Sequence, residues 1–152
     1  MPSRRSFLKS QSKTATPALV SPPVFVSEPR TYAPGGLLLG GYDPVAYFVD
    51  DEATIGHSEI TSHYRGTTVR FASEINKALF DANPAKYMPA FGGHCAYAAA
   101  EGYAASSDPE IWSIHEGRLF LNYSAPVRSI WALRKRSYIE AADRNWPGAL
   151  RS

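Results

Sequence analysis

The stretch from Ile111 to Tyr123 alternates apolar and polar residues on either side of Glu116-Gly117. Such alternation is typical of strands that bury one face, and a glycine-containing pair between two alternating runs is typical of a tight turn. The stretch therefore predicts a β-hairpin, so any fold of this chain must accommodate a pair of antiparallel strands.

A second hairpin is predicted earlier in the chain. The runs Glu59 to Tyr64 and Thr67 to Phe71 flank Arg65-Gly66, and their β-branched and aromatic residues favour strands. The run from Val45 to Val49 also predicts a short, largely buried strand, because residues of the same two kinds dominate it.

Helices are predicted after each hairpin. Ser73 is a suitable N-cap for a helix from Glu74 to Ala82, which a helical turn over Ala85-Lys86-Tyr87 follows. Ser124 opens a last helix, which the segment Asn145-Trp146-Pro147-Gly148 terminates. The chain is therefore predicted to be α+β, with a small antiparallel sheet, packed helices and a long C-terminal helix. Its predicted core consists of Val45, Phe48, Phe71, Leu79, Phe80, Phe120, Ile130 and Trp131.

The composition suits one ordinary globular domain preceded by an extension. Hydrophobic residues make up 44% and charged residues 20% of the 152 residues, as in typical soluble domains. A net charge of +2 is too small to indicate nucleic-acid binding. No apolar run approaches the roughly 20 residues that a transmembrane helix needs, so no such segment is expected.

The extension is predicted to cover residues 1–36 and the domain residues 37–152. Ser3-Arg4-Arg5-Ser6-Phe7-Leu8-Lys9 matches the twin-arginine export motif, which predicts a periplasmic or otherwise exported protein. The apolar stretch expected after that motif is interrupted by polar residues and prolines. An organelle transit peptide, and a cytoplasmic protein whose tail docks on a protein partner, therefore remain open. The extension is expected to make few contacts with the domain.

The only cysteine, Cys95, lies in the segment Phe91-Gly92-Gly93-His94-Cys95-Ala96-Tyr97. A single cysteine excludes an intramolecular disulfide. The two glycines permit a tight turn, and the imidazole and thiol that follow are potential ligands of a metal ion or a small molecule. Cys95, His94 and Tyr97 are therefore candidate site residues. The alternative interpretation is that Cys95 is a buried, inert thiol.

Five further residues are weaker candidates. Tyr42 and Asp43 are candidates for ligand binding, although Tyr42 also suits the core and Asp43 also suits a cap of the Asp-Pro turn. A metal ion at Cys95 and His94, copper or zinc, would need a third ligand from His57, His63 or His115. No catalytic motif accompanies these residues, so an enzyme is the third-ranked interpretation.

Several motifs together resemble the YHS-domain family. They are Asp43-Pro44-Val45, Tyr64 to Ser73, Phe80 and Asn83-Pro84-x-Lys86-Tyr87, and the longer bacterial branch also shares Gly41 to Phe48, the Gly-Gly-His-Cys-Ala-Tyr segment and Asn145-Trp146-Pro147. The resemblance covers residues 40–147 and implies a small α+β fold. Short YHS domains are suspected of binding metal through cysteines, but the matching positions here are Ala46, Ala72 and Asn76.

Two functions are therefore predicted. The first is a small, exported, non-catalytic YHS-like module that binds a metal ion or a small ligand near Cys95. The alternative is an accessory subunit that docks on a larger, membrane-associated complex through its domain and residues 1–36.

Overall fold

A computed structural model describes residues 31–151, and they form an α+β fold. Its regular elements are α1 Ala46–Val49, β1 His57–Tyr64, β2 Thr67–Phe71, α2 Glu74–Ala82, α3 Pro84–Tyr87, α4 Ala96–Glu101, β3 Asp108–His115, β4 Arg118–Asn122, α5 Ala125–Leu133 and α6 Lys135–Asn145. Short 3-10 turns at Leu38–Gly41 and Ala90–Gly93 precede α1 and α4.

Both predicted hairpins are confirmed, and each forms an antiparallel sheet of two strands. Strands β1 and β2 meet at Arg65-Gly66, and β3 and β4 meet at Glu116-Gly117. All four turn residues have positive φ, between 51° and 80°. This backbone conformation matches the twist of the strands that such a turn joins.

Serine caps begin the two helices that follow the hairpins, as predicted. The side-chain oxygen of Ser73 accepts the Asn76 backbone N–H at 3.1 Å, and that of Ser124 accepts the Val127 N–H at 3.3 Å. Each bond satisfies one of the backbone donors that a helix start leaves without a partner in the helix. The predicted helical turn after Asn83 is also confirmed, as α3.

The strand predicted from Val45 to Val49 is wrong, because most of this run is the helical turn α1. The carboxylate of Asp43 explains the difference: its Oδ1 accepts the backbone N–H of Val45 at 2.8 Å and that of Ala46 at 3.3 Å. These bonds stabilise the start of a helix more than the β-branched side chains favour an extended run.

The C-terminal helix is present, but the single helix predicted after Ser124 is interrupted once. Arg134 has φ −138° and ψ 49°, outside the helical region, and it separates α5 from α6. Asn145 ends α6 as predicted. Its side-chain nitrogen donates to the carbonyl oxygens of Ala99 and Ala100 at 3.1 and 3.0 Å, which attaches the end of α6 to α4.

Two apolar clusters form the core. Val45, Phe71 and Phe80 belong to the first cluster, and Phe120 and Trp131 belong to the second. Phe48 is half-buried against the first cluster. Two of the predicted core residues are wrong: Leu79 is 37% exposed and Ile130 is 47% exposed. In α2 the buried residues are Asn76 and Phe80, so the stripe at Ile75 and Leu79 faces solvent.

Contacts with the domain begin before the predicted boundary at residue 37. The backbone N–H of Tyr32 donates to the Gly92 carbonyl at 2.8 Å, and the Tyr32 ring lies 5.6 Å from the ring of His94. The twin-arginine motif and most of the predicted docking tail lie outside the described residues. In residues 31–151, no helix combines the length and the apolar character needed to cross a bilayer.

The described chain repeats one order of elements. A 3-10 turn, a short helix, a hairpin and a nine-residue helix with a serine cap occur from Leu38 to Ala82, the first repeat. The same elements occur again from Ala90 to Leu133, the second repeat. The corresponding turns share their backbone angles, since Leu39 and Phe91 have φ of 54° and 57°. The sequence gives little sign of this repetition, because few side chains are the same in the two copies.

Candidate functional site

The glycine turn before Cys95 has the tight conformation that the sequence predicts. Gly92 and Gly93 have φ of 62° and 91°, in the left-handed region. A Cβ on Gly93 would lie 3.1 Å from the side chain of Leu39 and 3.3 Å from that of Pro89. Glycine at position 93 therefore allows both the backbone conformation and the close packing.

Cys95 is buried behind this turn, with 2% of its surface exposed. Its backbone N–H donates to the Ala105 carbonyl at 3.0 Å, and its thiol donates to Oδ1 of Asn122 at 3.5 Å. The same oxygen of Asn122 accepts the Tyr97 backbone N–H at 3.0 Å. Asn122 thus fixes both the thiol and the start of α4.

A cavity of about 240 Å³ lies against the thiol. Two of its walls, Tyr103 and Tyr123, are themselves exposed, so the cavity can be reached from solvent. The Tyr97 hydroxyl in this wall is uncharged at neutral pH, as tyrosine ordinarily is, and the negative charge of Glu101 raises its pKa further. The full lining is Cys95, Tyr97, Ala98, Tyr103, Ala105, Tyr123 and Val127.

His94 is not among the residues that line this cavity, although it is adjacent to Cys95 in sequence. Its ring lies between the rings of Tyr32 and Trp146, at 5.6 and 5.3 Å. Its Nδ1 is 3.1 Å from the carbonyl oxygen of Phe91, and because that oxygen can only accept, Nδ1 carries the proton. Burial lowers the pKa of His94.

The histidines proposed as a third metal ligand lie in other parts of the fold. His57 and His63 are on β1, where His63 is paired with Thr68 of β2, and His115 is at the end of β3 beside the turn. Across residues 31–151, no group of three His, Cys, Asp or Glu side chains is placed to hold a metal ion. A copper or zinc ion at Cys95 would therefore need ligands from elsewhere.

Tyr42 and Asp43 lie at the turn before α1, the counterpart of the turn before α4. The hydroxyl of Tyr42 donates to Glu110 at 2.9 Å, and this bond raises the pKa of Tyr42. Asp43 is fully buried, and its Oδ2 accepts the Ala72 N–H and the Asn76 Nδ2, each at 2.8 Å. Ala46, Ala72 and Asn76, the positions that the predicted YHS resemblance aligns with cysteines, all donate to this carboxylate.

Comparisons with known proteins add no assignment. The chain matches no protein-family model, and no curated protein or solved structure is significantly similar to it. The resemblance to YHS domains stays a prediction from its motifs.

Of the five ligand-binding candidates, only Cys95 and Tyr97 meet at one cavity. The sequence interpretation missed Asn122, which bonds to Cys95, and the other five lining residues, Ala98, Tyr103, Ala105, Tyr123 and Val127. One signal was present for Asn122, which follows the apolar run Leu119-Phe120-Leu121 in a buried strand. A polar side chain in such a strand needs a hydrogen-bond partner, and here the Asn122 oxygen accepts from Cys95 and Tyr97, while its Nδ2 is buried without a partner among the described residues.

A second cavity, about 380 Å³, is larger but less specific. Its lining includes Tyr64, Arg65 and Trp146 together with Thr31, the first described residue. None of the predicted site residues lines it. The smaller cavity is the stronger candidate because two predicted site residues, Cys95 and Tyr97, line it.

Proposed function

We propose that the protein is a non-catalytic, YHS-like module that binds a small uncharged aromatic molecule in the cavity beside Cys95. The observation that carries this proposal is the cavity lining, which is made of tyrosine, alanine, valine and cysteine side chains and contains no Lys, Arg, His, Asp or Glu. A charged ligand would lose its hydration there without gaining an ion partner.

The volume of the cavity supports a ligand of one or two rings. An apolar cavity of about 150 Å³ is large enough to bind benzene, so 240 Å³ suits a molecule between benzene and indole in size. Tyrosine walls favour an aromatic ligand, because ring pairs gain about 0.5–1.5 kcal/mol beyond the area that they bury.

The surroundings of the thiol support binding over catalysis. The hydrogen-bond partner of Cys95 is the carboxamide oxygen of Asn122, which is not a base that could remove the thiol proton. His94, the adjacent base in the sequence, donates Nδ1–H to Phe91 and packs against Trp146 instead.

Titration of the ¹⁵N-labelled protein with indole tests this function. We expect shifts concentrated at the amides of 95–98, 103–105 and 123–127. Val127→Phe fills the cavity and should weaken indole binding at least tenfold, while Ile130→Phe, on the exposed face of the same helix, should leave it unchanged. Tryptamine and indole-3-acetate, which add a charge, should also bind more weakly. Indole shifts spread over the surface, or equal in both variants, would reject the proposal.

A further inference from the structure

We infer that the cavity beside Cys95 is the second repeat's counterpart of the buried Asp43–Asn76 site, and that it takes an uncharged ring because a thiol and an isopropyl group stand where the first repeat has a carboxylate and a carboxamide. The ligand part of this inference rests on the proposed function. The equivalence of the two sites rests on four independent observations of backbone geometry and position.

The hairpins of the two repeats share the same irregularity. In the first hairpin, His57 pairs with Phe71 and then Thr61 pairs with Arg70, with a bulge between the two pairs. In the second, Asp108 pairs with Asn122 and then Trp112 pairs with Leu121, again with a bulge between them. A bulge is a specific feature of a strand pair, so its recurrence at the same place sets the alignment of the two repeats.

The turns before α1 and α4 make Cys95 the counterpart of Asp43. Gly40 and Gly41 have φ of 65° and 102°, and Gly92 and Gly93 have φ of 62° and 91°. Asp43 and Cys95 each stand two residues after the second of these glycines. Their backbone bonds also correspond, because Asp43 N–H donates to Thr54 O at 2.8 Å and Cys95 N–H donates to Ala105 O at 3.0 Å.

The serine caps make Val127 the counterpart of Asn76. Each is the third residue after its capping serine and donates its backbone N–H to that serine, at 3.1 Å for Asn76 and 3.3 Å for Val127. The same alignment pairs Ala72 with Tyr123, the residue before each serine. Asp43 and two of the residues that donate to its carboxylate, Ala72 and Asn76, therefore have counterparts that line the cavity.

The chemistry of the two sites differs because of two replacements. In the first repeat, the carboxylate and the carboxamide bond to each other at 2.8 Å and both are buried. In the second repeat, a thiol and an isopropyl group stand at the same positions, and neither supplies a charge or a strong hydrogen bond. The cavity that these two side chains line is largely apolar, and it suits a compact ring.

A double-mutant cycle on the full chain tests this equivalence. Cys95→Asp alone buries a carboxylate against the Asn122 carboxamide oxygen, and Val127→Asn alone buries an amide without its carboxylate, so each should lower the melting temperature. The double variant should recover most of both losses, because the two new groups can bond as Asp43 and Asn76 do. Ile130→Asn, exposed on the same helix, is the control and should show no recovery with Cys95→Asp.

Indole binding supplies the second measurement. In the double variant, indole affinity should fall at least tenfold, because the apolar ring would then lie against a buried carboxylate and a buried carboxamide. If the double variant loses the sum of the two single losses, or does not fold, the equivalence is overturned even where the native chain binds indole. If the native chain binds no indole, the proposed function and the ligand class are overturned, and recovery in the cycle would then support the equivalence of the two sites alone.

Discussion

Asn76 of α2 donates its side-chain Nδ2–H to the carboxylate of Asp43 at 2.8 Å, and both side chains are buried. The same carboxylate accepts three backbone N–H groups, from Val45 and Ala46 at the start of α1 and from Ala72 after β2. One side chain thus connects α1, the first hairpin and α2.

Asp43→Ala should therefore destabilise the fold strongly. The substitution leaves four donors without their acceptor, and a buried donor without a partner costs about 1–3 kcal/mol. We expect a loss of about 3–5 kcal/mol in the free energy of unfolding, measured by urea denaturation. Asp50→Ala, at an exposed position after α1, is the matched control and should change it by less than about 0.5 kcal/mol. A loss as small as that of the control would show that the carboxylate is dispensable.

Phe71→Ala and Leu79→Ala should have unequal effects, although the sequence assigns both residues to the core. Phe71 is fully buried, with its ring 5.3 Å from that of Phe80, and its removal should cost about 3–5 kcal/mol. Leu79 is 37% exposed, and its truncation should cost less than about 1.5 kcal/mol. Thermal or urea unfolding of the two variants measures the difference. Similar losses in the two variants would mean that Leu79 is buried in the folded protein in solution.

The sequence predicts those parts of the fold that depend on neighbouring residues. The hairpins and the helix starts were predictable, because turn residues and serine caps act through neighbouring atoms. Helical spacing places Ile75 and Leu79 on one face of α2 but does not say which face is buried. That choice depends on Asn76, whose partner Asp43 lies far away in the sequence.

The candidate site was predictable only at Cys95 and Tyr97. Apart from Ala98 of α4, the other cavity residues come from the loop after α4, from the residue after β4 and from α5, and no local pattern brings them together. The strand predicted at Val45–Val49 was wrong for a similar reason, since a side-chain cap outweighed the strand propensity of the run. Asp43 followed by Pro44 was the available signal, because helices often begin with such a pair.

The stability of the protein should decrease as the pH falls below about 6.5. Burial lowers the pKa of His94 in the folded state, so the unfolded chain, in which histidine has a pKa of about 6.5, binds the proton more readily. The contribution of His94 is fully present above that pH and is lost as the pH falls towards the folded-state pKa. The melting temperature at pH 5.5 should therefore be lower than at pH 7.5.

His94→Asn isolates this contribution, because its side-chain amide can still donate to the Phe91 carbonyl but does not titrate. Between pH 7.5 and 5.5, we expect the melting temperature of the variant to fall by less than that of the native chain. His57→Gln, at an exposed position of β1, should keep the native dependence. The same pH dependence in all three proteins would assign the effect to other groups.

Reagents that differ in size and charge should distinguish Cys95 in a reachable cavity from Cys95 in a closed core. The thiol is 2% exposed, yet it lines a cavity bordered by the exposed Tyr103 and Tyr123. A small uncharged reagent, methyl methanethiosulfonate, should modify it in the folded protein, while a bulky, doubly charged aromatic disulfide should react at least about tenfold more slowly relative to the unfolded chain. Mass spectrometry follows both reactions, and Cys95→Ser is the blank.

Indole should slow the reaction of the small reagent with Cys95 if it occupies the same cavity. Modification only after denaturation, by either reagent, would identify Cys95 as a closed core residue, and the cavity beside it would then be unable to receive a ligand from solvent.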